Sequence, residues 1–304
     1  MENFEINILG CGSATPTTYH NPSSQVIKLR DKLYMVDCGE GTQLQMRRQK
    51  LSFSRLNQIF ISHLHGDHCF GLIGLISTMA LLGRTNDLYI HSHPDLEIIL
   101  RPQLNYFCRE IPFRVIIEGF DTTQSKVIFE DRSVTVTSIP LEHRVPCAGF
   151  RFDEHAKDAH LIADMIKFYK VPVKELKDIK KGADFITKDG IVVANSRLTR
   201  PATPPHSYAY CSDTAYNERI IPIVEGVDLL YHEATFCDTE IIRAKQTGHS
   251  TARQAALIAK SAKVKKLMLG HFSARYPDNT ILLDEAKEIF PNTILANEGL
   301  CEKL

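Results

Sequence analysis

The stretch Ile61-Ser62-His63-Leu64-His65-Gly66-Asp67-His68 places three imidazoles and a carboxylate within six residues. It follows a β-rich run read as a strand over Gln58–Ser62. A loop leaving a strand can fold these donors around a point, as a regular helix or strand cannot. Imidazole suits zinc, and a carboxylate can bridge to or complete a second ion. Three or four donors from one loop cannot fill two coordination spheres, so distant partners are required. Three candidates lie just past expected strands: His143 after Val134–Ile139, Asp213 after Ser207–Cys211 and His271 after Lys266–Leu269. A donor repeated just beyond a strand's carboxyl end is the footprint of one site built from several loops.

Around this loop, short β-rich runs recur. Phe4–Leu9, Gln25–Leu29 and Leu33–Val36 are separated by Gly, Pro and Asn, which suggests a meander. The apolar stretch Phe70–Leu82 has helical length, Asp87–His91 reads as a strand, and Pro94–Tyr106 as a helix with proline in its first turn. The last third alternates between strands and helices: Ser207–Cys211, Val227–Tyr231, Thr251–Ala262, Lys266–Leu269, Asp284–Phe290 and Thr293–Ala296. Such a pattern predicts an α/β chain, a mixed sheet core with helices packed outside.

The 304 residues carry 36 Lys plus Arg and 36 Asp plus Glu, so bulk basicity is excluded as a route to nucleic acid, though a local patch is not. A 43% hydrophobic content argues against wholesale disorder. The eight cysteines are scattered singly and are expected to be reduced and buried. No basic and apolar leader opens the chain, and the longest uncharged run, Cys69–Gly83, is too short to span a bilayer. A cytoplasmic protein with no membrane association is expected.

Further blocks narrow the reading. They are Leu9-Gly10-Cys11-Gly12-Ser13-Ala14-Thr15-Pro16, Asp37-Cys38-Gly39-Glu40-Gly41-Thr42-Gln43, Tyr210-Cys211-Ser212-Asp213-Thr214, His232-Glu233-Ala234-Thr235-Phe236, Gly248-His249-Ser250-Thr251 and Gly270-His271-Phe272-Ser273-Ala274-Arg275-Tyr276. The H-x-H-x-D-H loop resembles the signature of the metallo-β-lactamase fold superfamily. With the later blocks, in order over nearly the whole chain, the sequence resembles the ribonuclease Z family of tRNA 3′-processing endonucleases. The resemblance implies one domain over residues 1–304, an αββα sandwich with a protruding arm inserted at about 153–205. It implies two zinc ions per subunit, one held by His63, His65 and His143, the other by Asp67, His68 and His271, with Asp213 bridging. Two ions about 3.5–4 Å apart can clamp the attacking and leaving oxygens of an in-line displacement. Asp67 would also orient or deprotonate the attacking water. His249 would be the general acid and Glu233 would hold its ring. Arg275 is a candidate phosphate contact. The substrate implied is precursor tRNA, cut by direct hydrolysis to leave a 3′-hydroxyl, in a homodimer whose arms clamp the tRNA across subunits.

Asp37 is expected to shape the loop beneath the metals. His20, His91, His93, His155, His160, His206 and His232 are assigned to surface or packing roles. A dinuclear zinc phosphodiesterase of small esters and a non-catalytic RNA-binding module are the competing readings, and the full donor set argues against the second. Between Met165 and Gly182 stand six lysines against Glu175 and Asp178. A solvated helical face accounts for such a cluster, and so does a contact surface for RNA phosphates. The family's Gly-Pro-x-x-Gly is absent there, replaced by Val171-Pro172-Val173-Lys174-Glu175, and the later basic stretch departs as Arg200-Pro201-Ala202-Thr203-Pro204-Pro205-His206. Neutralising Lys174, Lys177, Lys180 and Lys181 is expected to raise KM for tRNA far more than for a small phosphodiester. Equal effects on both would exclude an RNA exosite.

Overall fold

The computed structural model describes residues 4–304. The first three residues, on which the expectation of a leaderless start partly rests, lie outside the described residues. β1 (Phe4–Gly10), β2 (Ser24–Leu29), β3 (Lys32–Cys38), β4 (Leu56–Phe60), β5 (Leu88–Ser92) and β6 (Val115–Gly119) lie side by side in chain order. The first three form an antiparallel meander, and β3 to β6 run parallel. Next come β7 (Val127–Glu130), β8 (Val134–Pro140) and β9 (Ala148–Glu154). The short strands β10 (His160–Leu161), β11 (Phe185–Ile186), β12 (Val192–Val193) and β13 (Thr199–Arg200) follow. The chain ends through β14 (Ser207–Cys211), β15 (Leu229–Glu233), β16 (Lys266–Gly270), β17 (Thr293–Leu295) and β18 (Cys301–Lys303). The second sheet has the order β17-β16-β15-β14-β9-β8-β7, while β18 returns to flank β1 in the first.

Side-chain alternation explains why the sheets stack. In β3, Tyr34 and Val36 join a core shared with Val136, Phe150, Phe152 and Tyr208 of the second sheet. Leu33 and Met35, one residue out of step, join the opposite core. A two-residue period delivers alternate side chains to opposite faces. Between the sheets, the Phe60 ring sits 5.9, 5.6 and 5.4 Å from Phe129, Phe150 and Phe152, and Tyr208 donates its hydroxyl proton to Gln25. Outside the first sheet, the helix Gly71–Leu81 contributes Leu72, Leu75, Ile76 and Met79, and Asp95–Phe107 contributes Leu96, Leu100 and Leu104. Outside the second, Ala252, Ala255, Ala256 and Ala259 form one face of the helix Ala252–Ser261. This is an αββα sandwich. Gly71 lets the first helix start against β3, since a Cβ there would lie 2.1 Å from the Gly39 carbonyl oxygen.

The chain divides into two compact units, the second being Glu154–Pro205. That unit has a small core of its own, Ile179, Phe185, Val193 and Leu198, with β10 pairing with β13 and β11 with β12.

Several expectations shift. β4 ends before Ser62 because Ser62 gives its amide to the Asp37 carboxylate rather than to a neighbouring strand. The last helix is Thr280–Lys287 rather than Asp284–Phe290, because Asp278 accepts from both the amide and the hydroxyl of Thr280 and starts it earlier. Strands β6, β7, β9 to β13 and β18 lie outside the expected strands. All eight cysteines are free, but Cys301 is exposed, on the edge strand β18. Among the described residues no helix is long and apolar enough to cross a membrane.

Phe152 is fully buried between the sheets. Phe152→Ala is expected to lower the unfolding free energy by about 3–5 kcal/mol in urea denaturation, and a loss under about 1 kcal/mol would contradict the packing described.

Candidate metal centre

Every candidate donor sits where a strand runs out. His63, His65, Asp67 and His68 follow β4, the last two inside the single turn Gly66–Cys69. His143, Asp213 and His271 follow β8, β14 and β16. Asp213 and His271 leave their strands with φ of 55° and 59°, and Asp37 at the end of β3 has φ of 57°. A left-handed backbone at a non-glycine residue costs about 1–3 kcal/mol and persists only where its surroundings enforce it. Here it turns side chains off three strand ends toward one place.

Two sets of donors result: His63, His65, His143 and Asp213 in one, Asp67, His68 and His271 in the other. Asp213 faces both. Its Oδ2 lies 3.6 Å from His63 Nε2 and 3.8 Å from His143 Nε2. Its Oδ1 lies 3.2 Å from His68 Nε2 and 3.0 Å from His271 Nε2. Asp67 Oδ2 is 3.4 and 3.6 Å from those last two nitrogens. In the first set His65 Nδ1 lies 2.9 Å from His63 Nε2 and 3.4 Å from His143 Nε2. Donors at zinc bond lengths around a tetrahedron are about 3.3 Å apart, a spacing with which both sets are compatible. His68 Nε2 and His271 Nε2 are buried without a hydrogen-bond partner. A buried polar group without a hydrogen bond costs about 1–3 kcal/mol, and an ion between these nitrogens and the Asp67 and Asp213 oxygens would offset it. The cluster is compatible with metal binding.

The support beneath the donors is equally specific. Buried Asp37 accepts from Ser62 N at 2.8 Å, Ser62 Oγ at 2.9 Å, the Tyr210 hydroxyl at 2.7 Å and His68 Nδ1 at 2.7 Å. It thereby ties the ligand loop to the second sheet and turns His68 Nε2 toward the centre, as expected of a residue that shapes the loop. His143 Nδ1 donates to the Gly248 carbonyl at 2.9 Å. Gly248 has φ of 74°, and a Cβ there would press on His143 Nδ1 at 3.1 Å. Thr235 lies in the His232–Phe236 block two residues after Glu233. Its hydroxyl donates to Glu233 Oε2 at 2.6 Å and lies 3.0 Å from His271 Nδ1. Neither Thr235 nor Tyr210 gave a sequence signal beyond membership of a motif block.

Charge is packed tightly here. Burial works against ionised Asp67, but the His68 and His271 rings hold its carboxyl well below the usual carboxylate range. Burial likewise opposes a charged His68, and Asp213, Asp37 and Asp67 outweigh it and push the ring up. Glu233 is fully buried, 2.9 Å from His249 Nδ1, and also accepts from the Thr214 amide at 2.7 Å. Burial would lower the His249 pKa, yet the Glu233 carboxylate raises it to about 9. His249 offers a ring nitrogen within 4.8 Å of Asp213 and His271 donors.

The remaining residues fall elsewhere. Arg275 is ion-paired with Glu240 at 3.2 Å, its guanidinium 6.0 Å from the Phe236 ring centre. Lys174, Lys177, Lys180 and Lys181 are exposed in the unit Glu154–Pro205. His91 packs on Phe60 with ring centres 4.6 Å apart, and His232 is buried in β15 with Nδ1 2.8 Å from the Glu233 carbonyl oxygen. His20 is half-buried, its Nδ1 2.9 Å from Glu298.

The fold is that of the metallo-β-lactamase superfamily, and the donor set is compatible with a metal centre of that kind. Two solved structures share the architecture: the short form of human tRNase Z, with TM-score 0.71 and 24% identity covering 98% of each chain, and the metallo-β-lactamase fold protein YhfI of Bacillus subtilis, with TM-score 0.71 and 21% identity over 100% of each. Ribonuclease Z of Bacteroides fragilis is 61% identical over 304 residues, all of both chains. The chain belongs to the ribonuclease Z family. A family model described as Anti-Pycsar protein Apyc1 also matches residues 4–189. That match ends before Asp213, His249 and His271, whereas the similarity to the Bacteroides fragilis relative runs over all 304 residues.

Asp37→Asn keeps the shape but weakens the hold on His68. Metal affinity is expected to fall about 10–100-fold by competition with a chromophoric chelator. An unaltered affinity would remove Asp37 from the support of the centre.

Proposed function

We propose that this chain is an endoribonuclease that removes 3′ trailers from precursor tRNA, using two zinc ions per subunit in the cytoplasm. The observation that carries the reading is a seven-donor centre with a separate, carboxylate-held imidazole at its edge, in a chain of the ribonuclease Z family.

His63, His65 and His143 would hold one ion and Asp67, His68 and His271 the other, with Asp213 shared. Zinc so held supplies Lewis acidity and brings the pKa of coordinated water to about 7. Asp67 would orient or deprotonate the attacking water; its Oδ2 accepts from the Ala14 amide at 2.7 Å. The water oxygen joins phosphorus on the face opposite the leaving 3′ oxygen. As the P–O3′ bond breaks, His249 gives that oxygen a proton, and Glu233 holds the ring in place. The tRNA keeps a 3′-hydroxyl and the trailer a 5′-phosphate.

The exposed lysines of Glu154–Pro205 offer charge to tRNA phosphates, which dominate affinity in such contacts. A homodimer is supported by apolar side chains left exposed on the outer helices, among them Leu81, Ile98, Tyr106 and Phe107. Arg275 remains a candidate phosphate contact despite its pairing with Glu240.

End-labelled precursor tRNA incubated with purified protein is expected to give one cut near the discriminator base, absent with Asp67→Ala. No cut, with hydrolysis of a small phosphodiester retained, would favour the small-ester reading. His249→Ala should lower kcat about 10²–10⁴-fold with metal content kept; loss of metal would make His249 a ligand rather than the acid. A donor must be protonated, so turnover should fall as pH rises past the His249 value of about 9. Glu233→Gln removes the charge that raises it and should move this alkaline limb to lower pH, whereas an unmoved limb would contradict the assignment.

A further inference from the structure

Beside the metal centre lies a cavity of about 430 Å³ that His249 shares with the Ser13–Thr15 turn, Arg144, Arg243 and Arg275. None of its lining residues is acidic. The donor cluster next to it, by contrast, holds the carboxylates of Asp67 and Asp213. Of the three arginines, Arg275 is neutralised by Glu240 at 3.2 Å. Arg144 and Arg243 are exposed and have no carboxylate partner among the described residues.

Arg144 is the more telling of the two. It follows His143 directly, and that ring is fixed by its 2.9 Å bond to the Gly248 carbonyl. The Arg144 stem runs beside the same glycine, since a Cβ on Gly248 would lie 3.6 Å from Arg144 Cγ. The side chain also borders two other cavities, one beside His65 and Asp67 and one beside His143 and Arg219. An exposed guanidinium that borders three cavities, with no carboxylate paired to it among the described residues, presents donors suited to a phosphate.

We propose that Arg144 and Arg243 clamp the backbone phosphate adjoining the scissile one on the tRNA side of the cut. This rests on the reading of the chain as a tRNA trailer endonuclease. The side is set by His249: the general acid stands at the leaving 3′ oxygen, which belongs to the tRNA, and the arginines line the cavity that His249 borders. The clamp would fix the last tRNA nucleotide against the centre and so define where the chain is cut. Neither arginine stands in a motif block, which is why the sequence alone did not single them out.

The test uses full-length protein and synthetic precursors carrying one neutral methylphosphonate, placed either one phosphate to the tRNA side of the cut or one to the trailer side. Arg144→Gln with Arg243→Gln is expected to raise KM for the unmodified precursor about tenfold. The tRNA-side methylphosphonate should raise wild-type KM by a similar factor and add less than about twofold in the double variant, because both changes remove one contact. The trailer-side modification should add its whole effect to that of the variant. Arg144→Lys with Arg243→Lys should recover part of the loss. Full additivity on the tRNA side, or a KM within about twofold of wild type, overturns the clamp alone. A precursor left uncut by the wild-type protein overturns the tRNA reading, and the clamp with it.

Discussion

Asp213 divides its two oxygens between two sets of imidazoles, and the architecture around it follows from that division. A carboxylate 2% exposed among rings that are themselves buried is costly to desolvate. The arrangement holds only if the charges are matched at short range and in fixed directions. No single loop can deliver that many directions. The donors therefore arrive from four strand ends on two sheets, and the sandwich brings those ends to a common edge. Left-handed backbone at Asp213, His271 and the supporting Asp37 is the local strain by which regular strands give way to converging donors.

Convergence also needs rigidity between sheets. Asp37 supplies part of it, binding Ser62 and His68 on one side and Tyr210 of the second sheet on the other. Aromatic packing of Phe60 against Phe150 and Phe152 supplies the rest, a few residues upstream of His63. Precision at the centre is thus inherited from the core. On the far side, the chain Thr235–Glu233–His249 links a position behind His271 to the imidazole at the rim. A rigid scaffold that fixes its polar groups in advance lowers the reorganisation needed in the transition state.

The ligand loop and the strand-end positions of His143, Asp213 and His271 were legible in the sequence because short apolar runs mark strands and each donor follows one. Glu233 and His249 were legible only through motif resemblance, since they are 16 residues apart and nothing local says that their side chains meet. Strand β18 was hidden: Cys301–Lys303 is short and charged, and it is a strand only because β1 offers an edge to pair with. The shift of the last helix to Thr280 came from an Asp278 capping contact that a search for apolar periodicity passes over. Tyr210 and Thr235 act through contacts across the fold, which spacing cannot reveal.

We propose that Asp213 joins two metal positions in one centre. Elemental analysis of the full-length protein, equilibrated with zinc and freed of excess, measures this most directly when run beside Asp213→Asn. The account predicts two zinc ions per chain and the loss of both positions' tight binding in the variant. One ion per chain, or a variant that keeps two, would contradict it.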